Sequence, residues 1–404
     1  MKKRVPMIRI TNRLSTRKGL ISGIFTLAIV FGNLGVIAQN DHQHEHHATE
    51  TVEHSIDKID STLINEGENV GEVAIGHHEN TEEKFNTSKV IMEHIADAHD
   101  WHLWGHTSIH LPVIVYTNKG FEFFSSGKFN HGHDAYKGSH YTYKLDKSKP
   151  EKEKIVVIGA DNLVDEAATS SLIDFSITKN VVSIMISMLL LCLLFISIAN
   201  AYKKRGLSAP KGLQSWLEPI ILFVRDEIAR PNLGDKYAKF MPYLLTVFFF
   251  IWINNMLGLV PFFPGGANVT GNIAVTLVLA AMTFILTTIN GTKTYWGHVF
   301  TPHVPLWLYP LMIPVEIIGL FTKPFALMIR LFANLTAGHI LILSLVCLIF
   351  IYKSLAVASV SVPFVVFISV IELLVAFIQA FIFTILSALY IGMALEKPSE
   401  EAHH

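Results

Sequence analysis

The chain is poor in cysteine and in charge, and each shortage excludes something. Two cysteines stand among 404 residues, Cys192 and Cys347, both inside apolar runs. A disulfide framework is excluded, and with no cysteine pairs so is a cysteine-based zinc site; both read as small core residues. Charged residues make up 16% of the chain while 51% are hydrophobic, and the mean hydropathy is +0.41. Soluble proteins carry roughly 25% charged residues, so an ordinary soluble protein is excluded as well. No phosphate-cradling loop is present, which argues against phosphoryl chemistry on this chain. Long apolar runs are missing from the first 175 or so residues and crowd into the remainder, so the net charge of −1 averages two unlike regions.

The N-terminus has the layout of an export signal. MKKRVPMIRITNRLSTRK is basic, LISGIFTLAIVF is a short apolar core, and GVIA before Gln39 offers a small-residue cleavage site after Ala38. That core is too short to span a bilayer. Residues 1–38 are therefore expected to be a signal peptide, and the chain from residue 39 to about 175 to be exported. Residues 39–90, opening with DHQHEHHATE, are polar and aperiodic and read as a His-rich disordered linker. Residues 91–175 read as a small β-rich domain. VIVY and FEFF around Thr-Asn-Lys-Gly predict a hairpin, and KIVVIG at 154–159 a further strand.

Fifteen of the 20 histidines lie between His42 and His140. Imidazole is a common metal ligand, but the spacings are irregular. His102, His106 and His110 fit one helix face only if Gly105 and Pro112 allow a helix there. Solvated, adventitious or proton-buffering histidines explain the cluster better, and no metal site is assigned.

From residue 177 the pattern changes to membrane spans. ITKNVVSIMISMLLLCLLFISIANAY exceeds 20 apolar residues. KKRG at 203–206, then Lys211, Arg225, Arg230, Lys236 and Lys239, mark the next loop as cytoplasmic. Within it GLQSWLEPIILFVRDEIARP suits an amphipathic surface helix. Further spans lie at about 240–260 and 272–289, and two longer segments run from about Leu308 to Tyr352 and from about Val362 to Leu395. Helices that long must tilt strongly or break in a hydrocarbon core of about 30 Å, and Pro310, Pro314 and Pro324 allow kinks. The expected fold class is an all-α polytopic membrane protein with about five membrane helices, the last two long and strongly tilted, plus the small β-containing exported domain. Residues 176–396 form the membrane domain and 397–404 a cytoplasmic tail.

Polar groups inside such helices are functional candidates by default, because each is costly there. They are Glu316, Lys323, Arg330, Asn334, His339, Glu372 and Gln379, with Asn254 and Asn255 as further candidates to line a channel. Glu316, Lys323 and Arg330 recur every seven residues, drifting about 20° per step, and form one polar stripe if the helix continues past Pro324. Asn334 shares the face of Arg330, while His339 points about half a turn away. Along the axis Glu316 lies about 21 Å to one side of Arg330 and His339 about 13 Å to the other. A guanidinium cannot be deprotonated and cannot relay a proton; it can divide two proton-capable regions. Ala333 and Ala337 let another surface approach closely. Lys323 can equally snorkel to an interface, and Asn254 and Asn255 can serve as interhelical hydrogen-bond partners.

IRLFANLTAGHI, IELLVAFIQAFIFTILSALYIGMA, NNMLGLVP and TGNIAVTLVLA together resemble the subunit a family of F-type ATP synthases, over about residues 175–396. The resemblance implies a proton-translocating stator subunit of the bacterial inner membrane, not catalytic itself, with no cofactor, no nucleic-acid partner and no direct nucleotide binding. Its implied partners are the c-ring, the peripheral-stalk subunit b and membrane lipid. Arg330 would be the essential arginine facing the c-ring carboxylate, Asn334 and Gln379 its polar neighbours, His339 and Glu372 the exterior-side pair, and Glu316 a cytoplasmic-side acid. In some members the acid stands on the earlier helix and the histidine on the later one; here the types are exchanged. The exported His-rich region departs from better-known members. The alternative is a His-rich metal-ion transporter of the inner membrane, against which a fixed guanidinium in the path would repel divalent cations.

Overall fold

The computed structural model describes residues 87–396 apart from 105–106, 149–152, 160, 206–211, 261–262 and 302–304. The signal segment 1–38, nearly all of the His-rich stretch 39–90 and the tail 397–404 lie outside the described residues.

Helix α1 (Thr87–Ile95) leads into an antiparallel pair, β1 (Asp100–Trp104) and β2 (Thr107–His110). The helix face that Gly105 and Pro112 already weakened is not formed: His102 and His110 lie in strands. DWHLW and TSIH alternate polar and apolar residues around Gly105, a pattern that favours a hairpin over a helix. β3 (Pro112–Thr117) and β4 (Gly120–Ser125) form the hairpin expected from VIVY and FEFF, with Thr117 opposite Gly120. Gly120 supplies the positive φ of 129° that a side chain would resist. β5 (Tyr136–Lys137), β6 (Thr142–Asp146) and β7 (Lys154–Ile158) make a second antiparallel sheet. The short helix α2 (Glu166–Ser170), capped by the Asp165 side chain, precedes β8 (Ile173–Asp174), which returns to pair with β3. Inward-facing positions at period two, Val113 and Val115 on β3, join Phe124, Phe129, Tyr143, Leu145, Ile155 and Val157 in one buried core.

The rest is helical. α3 (Lys179–Arg205) is followed by α4 (Leu213–Phe223), a π-helical turn (Val224–Ala229), α5 (Arg230–Leu233) and α6 (Tyr237–Leu259). Then come α7 (Ile273–Asn290), the short α8 (Lys293–Phe300), α9 (Tyr309–Tyr352) and α10 (Leu355–Leu395). Among the described residues five helical stretches are long and apolar enough to cross a membrane: 179–204, 213–259, 273–290, 309–352 and 355–395. The described residues are thus mostly helical, with β-strands among them only between 100 and 174.

α9 and α10 contain 44 and 41 residues, about 60–65 Å each at a rise of about 1.5 Å per residue. Neither breaks. Pro314 and Pro324 sit inside α9 and Pro363 inside α10. α10 begins at Leu355 rather than near Val362, because in apolar surroundings backbone groups left outside a helix have no partner. Lys353, in the left-handed conformation, ends α9, and α10 starts two residues later. The two helices pack together as a hairpin, α10 also against α6 and α9 also against α7.

Between membrane helices the apolar drive to associate is weak, so close packing and polar contacts hold them. Phe377 of α10 meets the rings of Phe248 and Trp252 of α6 edge-on at 5.7 and 5.6 Å. A side chain at Gly392 would strike the Asn232 carbonyl, so glycine lets α10 close onto α5. Thr283 of α7 bonds Ser387 of α10 at 3.2 Å and Tyr243 of α6 at 2.8 Å.

Candidate functional site

α9 and α10 carry most of the candidate residues. α9 is continuous past Pro324, the condition on which the Glu316–Lys323–Arg330 stripe depends. Arg330 is exposed, as are Ala333, Asn334 and Ala337. These four positions recur at three and four residues and so make one outward face. None of the ion pairs among the described residues includes Arg330. A permanent cation thus stands on an unfilled face, bordered by small residues.

Behind that face, Asn334 Nδ2 donates to Gln379 Oε1 at 2.8 Å. Gln379 is buried, so the bond ties the edge of the exposed stripe on α9 to the packed interior of α10.

His339 lies about half a turn round α9 from Arg330 and turns to the hairpin interior. Its Nδ1 is 3.9 Å from Glu372 Oε1, with side-chain exposures of 14% and 10%. Its Nε2 faces Gly258 of α6. Neither carboxyl oxygen of Glu372 has a hydrogen-bond partner among the described residues. A buried polar group without a partner is costly and is commonly met by water. A carboxyl in this position can accept a proton and become neutral, or release it and pair with a protonated imidazole. Gly338, beside His339, makes room for it: a Cβ there would overlap Glu372 Oε1. Sequence reasoning missed Gly338, although its place next to the only histidine of these two helices was a signal.

Glu316 is half-buried near the start of α9 and close enough to Tyr295 of α8 to act on it electrostatically. Burial first, and the Glu316 charge second, push the Tyr295 phenol above its ordinary value. Lys323 Nζ lies 5.8 Å from the ring centre of Tyr390 on α10. Asn255 bonds on two sides, donating to the Ala376 carbonyl at 3.4 Å and accepting from Thr270 Oγ1 at 2.5 Å. Asn254 donates to Phe250 of its own helix at 2.8 Å, and its buried Oδ1 has no partner among the described residues. So the hairpin brings Asn334 to Gln379 and His339 to Glu372, leaves Arg330 outward between them and Glu316, and keeps Asn254 and Asn255 in the core of α6. Asn268, in the loop before α7, was not foreseen; both its amide atoms are buried and have no partner among the described residues.

Comparison with known proteins gives two family matches. Residues 181–392 match the ATP synthase A chain family, and residues 90–175 match a domain of unknown function. Among curated relatives, an ATP synthase subunit a from Chloroherpeton thalassium is 48% identical over 237 residues, 57% of this chain and 70% of the relative. One from Chlorobium phaeobacteroides strain BS1 is 50% identical over 237 residues, covering 57% and 69%. One from Myxococcus xanthus is 47% identical over 239 residues, covering 57% and 77%. The metal-transport alternative has no counterpart in these matches.

Proposed function

The chain belongs to the F-type ATP synthase subunit a family, and from that premise we propose that it forms two offset proton half-channels against a rotating c-ring. The coarse part comes with membership: it is a multi-pass membrane subunit of the synthase complex. The finer part rests on one observation. Arg330 stands exposed on an outward face with Ala333 and Ala337, between Glu316 on one side and the buried His339–Glu372 pair on the other.

The mechanism is built from these groups. A proton comes from the exterior past His339 and Glu372 and neutralises a ring carboxylate. The neutral carboxyl can then turn into lipid, where a charged one could not. After nearly a full turn it reaches the cytoplasmic side near Glu316 and loses the proton. Arg330 attracts the ionised carboxylate and blocks direct leakage, since it cannot carry a proton itself. Asn334 and Gln379 hold the α9–α10 contact beside it. The long hairpin lies strongly tilted across the ring, because helices of about 60 Å exceed a hydrocarbon core of about 30 Å. Positive charge in the loop from 203 to 239 supports a cytoplasmic position for that loop, with the β-rich domain outside. The ring and subunit b are the partners, and the bacterial inner membrane is the location.

The test is Arg330→Ala in the assembled complex. ATP synthesis driven by a proton gradient is expected to vanish while the complex still assembles; coupled synthesis at the unmodified rate would overturn the reading.

A further inference from the structure

Residues 87–180 precede the family match at 181–392, and most of them belong to the domain of unknown function. In the structure this domain is seated directly on the membrane helices. α1 packs against α9, the helix that carries Arg330 and His339. The seam is fixed by short contacts. Thr178 Oγ1 and Asn180 N donate to the Asp97 carboxylate at 2.8 and 3.0 Å. Lys179 N donates to the Ala98 carbonyl at 2.9 Å, and Lys179 Nζ to the His94 carbonyl at 3.4 Å. Trp101, 2% exposed, sits in the same buried cluster as the membrane helices and meets Phe263 edge-on at 5.2 Å. Asp97 in effect caps the first membrane helix from outside it.

His94 closes the last turn of α1, partly exposed to solvent and partly covered. Its imidazole lies within electrostatic reach of His339 on α9 and Lys179 at the start of α3. His339 in turn stands 3.9 Å from Glu372. Exposure falls along this set, from the partly exposed His94 to 14% for the His339 side chain and 10% for that of Glu372. Three titratable groups on α1, α9 and α10 thus run from an exposed to a buried position.

We propose that the exported domain is the outer vestibule of the proton path and that His94 passes protons between exterior water and His339. The inference rests on the proton-path reading above and assigns a role to a domain which that reading leaves unused. Imidazole suits the task, because its ordinary pKa lets it take and give a proton near neutral pH. The groups facing His94 are Lys179 and His339, with Asp97 one turn on at the seam. Burial, then Lys179 and His339, hold His94 below its ordinary value, so the ring rests neutral. It takes one proton from exterior water and becomes an imidazolium. It releases one proton inward through solvent to His339 and is neutral again, so no charge accumulates.

The experiment uses the whole complex in vesicles, with ATP synthesis driven by an imposed potassium diffusion potential at equal pH on both sides. His94→Ala and His94→Gln are compared with the unmodified complex, with and without imidazole on both sides. Both variants are expected to slow synthesis roughly tenfold at mildly alkaline pH and less at mildly acidic pH, where protons are plentiful. Imidazole should restore most of the loss. Unchanged synthesis in both variants overturns the vestibule. So does a loss that imidazole leaves in place, or one that His94→Gln escapes, since either marks a packing role. Glu372→Gln is run in parallel. If it abolishes synthesis while the His94 variants work normally, only the vestibule fails; if it leaves synthesis undiminished, the proton path itself fails.

Discussion

Asn334 and Gln379, 45 positions apart in the chain, are joined by a 2.8 Å hydrogen bond one helical turn from Arg330. The bond crosses the α9–α10 hairpin at the level of the exposed guanidinium, so it sets how the two helices present Arg330 to a partner. Asn334→Ala and Gln379→Ala should each slow ATP-driven proton pumping. The double variant should be little worse than either single one, because both remove the same bond. Interhelical hydrogen bonds of this kind couple by about 0.6–1.7 kcal/mol. Fully additive losses in a double-mutant cycle would show that the two residues act separately.

Arg330 should not be replaceable by lysine. A lysine keeps a positive charge but loses the planar fork, and it gives up its proton when desolvated. Arg330→Lys is expected to assemble normally and to lose at least about tenfold in coupled synthesis. Synthesis rates normalised to the amount of complex check this; near-normal rates would mean that charge alone suffices.

Gly338 leaves the space that the Glu372 carboxyl occupies. Gly338→Ala should push that carboxyl away from His339 at a packing cost of about 1–3 kcal/mol. Proton flux should fall by more than about tenfold with the complex intact. Flux equal to that of the unmodified complex would mean that the 3.9 Å pair has room to move.

His99 governs how the N-terminal β-containing domain holds together against pH. Burial alone would lower its pKa, but hydrogen bonds to Asp174 and Glu153 outweigh it and raise the ring from 6.5 to about 10. Burial would raise Glu153, yet the His99 and Lys147 bonds bring it from 4.5 down to about 2. A raised histidine contributes stability that is complete below 6.5 and fades as pH climbs through about 10. A lowered carboxyl contributes stability present above 4.5 and lost as pH falls through about 2. Limited proteolysis within residues 90–175 of the full-length protein should therefore be slowest between these limits and speed up toward pH 10. His99→Ala, which leaves two carboxylates without their shared cation, should cost about 3–5 kcal/mol, read as a lower urea midpoint for cleavage. Equal cleavage rates from mildly acidic pH to pH 10 would remove His99 from this role.

Much of the architecture was legible residue by residue. The hairpin around Thr117 and Gly120 was visible because turn residues and strand alternation act locally. The spans of α3, α6 and α7 were visible because a bilayer demands long apolar runs. The seven-residue recurrence of Glu316, Lys323 and Arg330 was readable because helical geometry is regular. The start of α10 was misjudged: it was expected near Val362 and lies at Leu355, because apolar surroundings leave backbone groups outside a helix without a partner. The four-residue spacing of His102, His106 and His110 does not by itself choose between helix and strand; the pairing of β1 with β2 decided it.

By itself the sequence determined which side chains are costly to place in lipid, which of them share a helix face, and where positive charge gathers between membrane spans. Those properties depend on periodicity and composition, which a linear chain carries in full. Only the tertiary structure decided that Asn334 meets Gln379, that Glu372 lies beside His339 with Gly338 making room, and that α1 packs on α9 with His94 near His339. These contacts join residues distant along the chain. They exist because a two-residue turn folds α10 back onto α9, and because Asp97, Ala98 and Trp101 bind the N-terminal domain to the membrane helices.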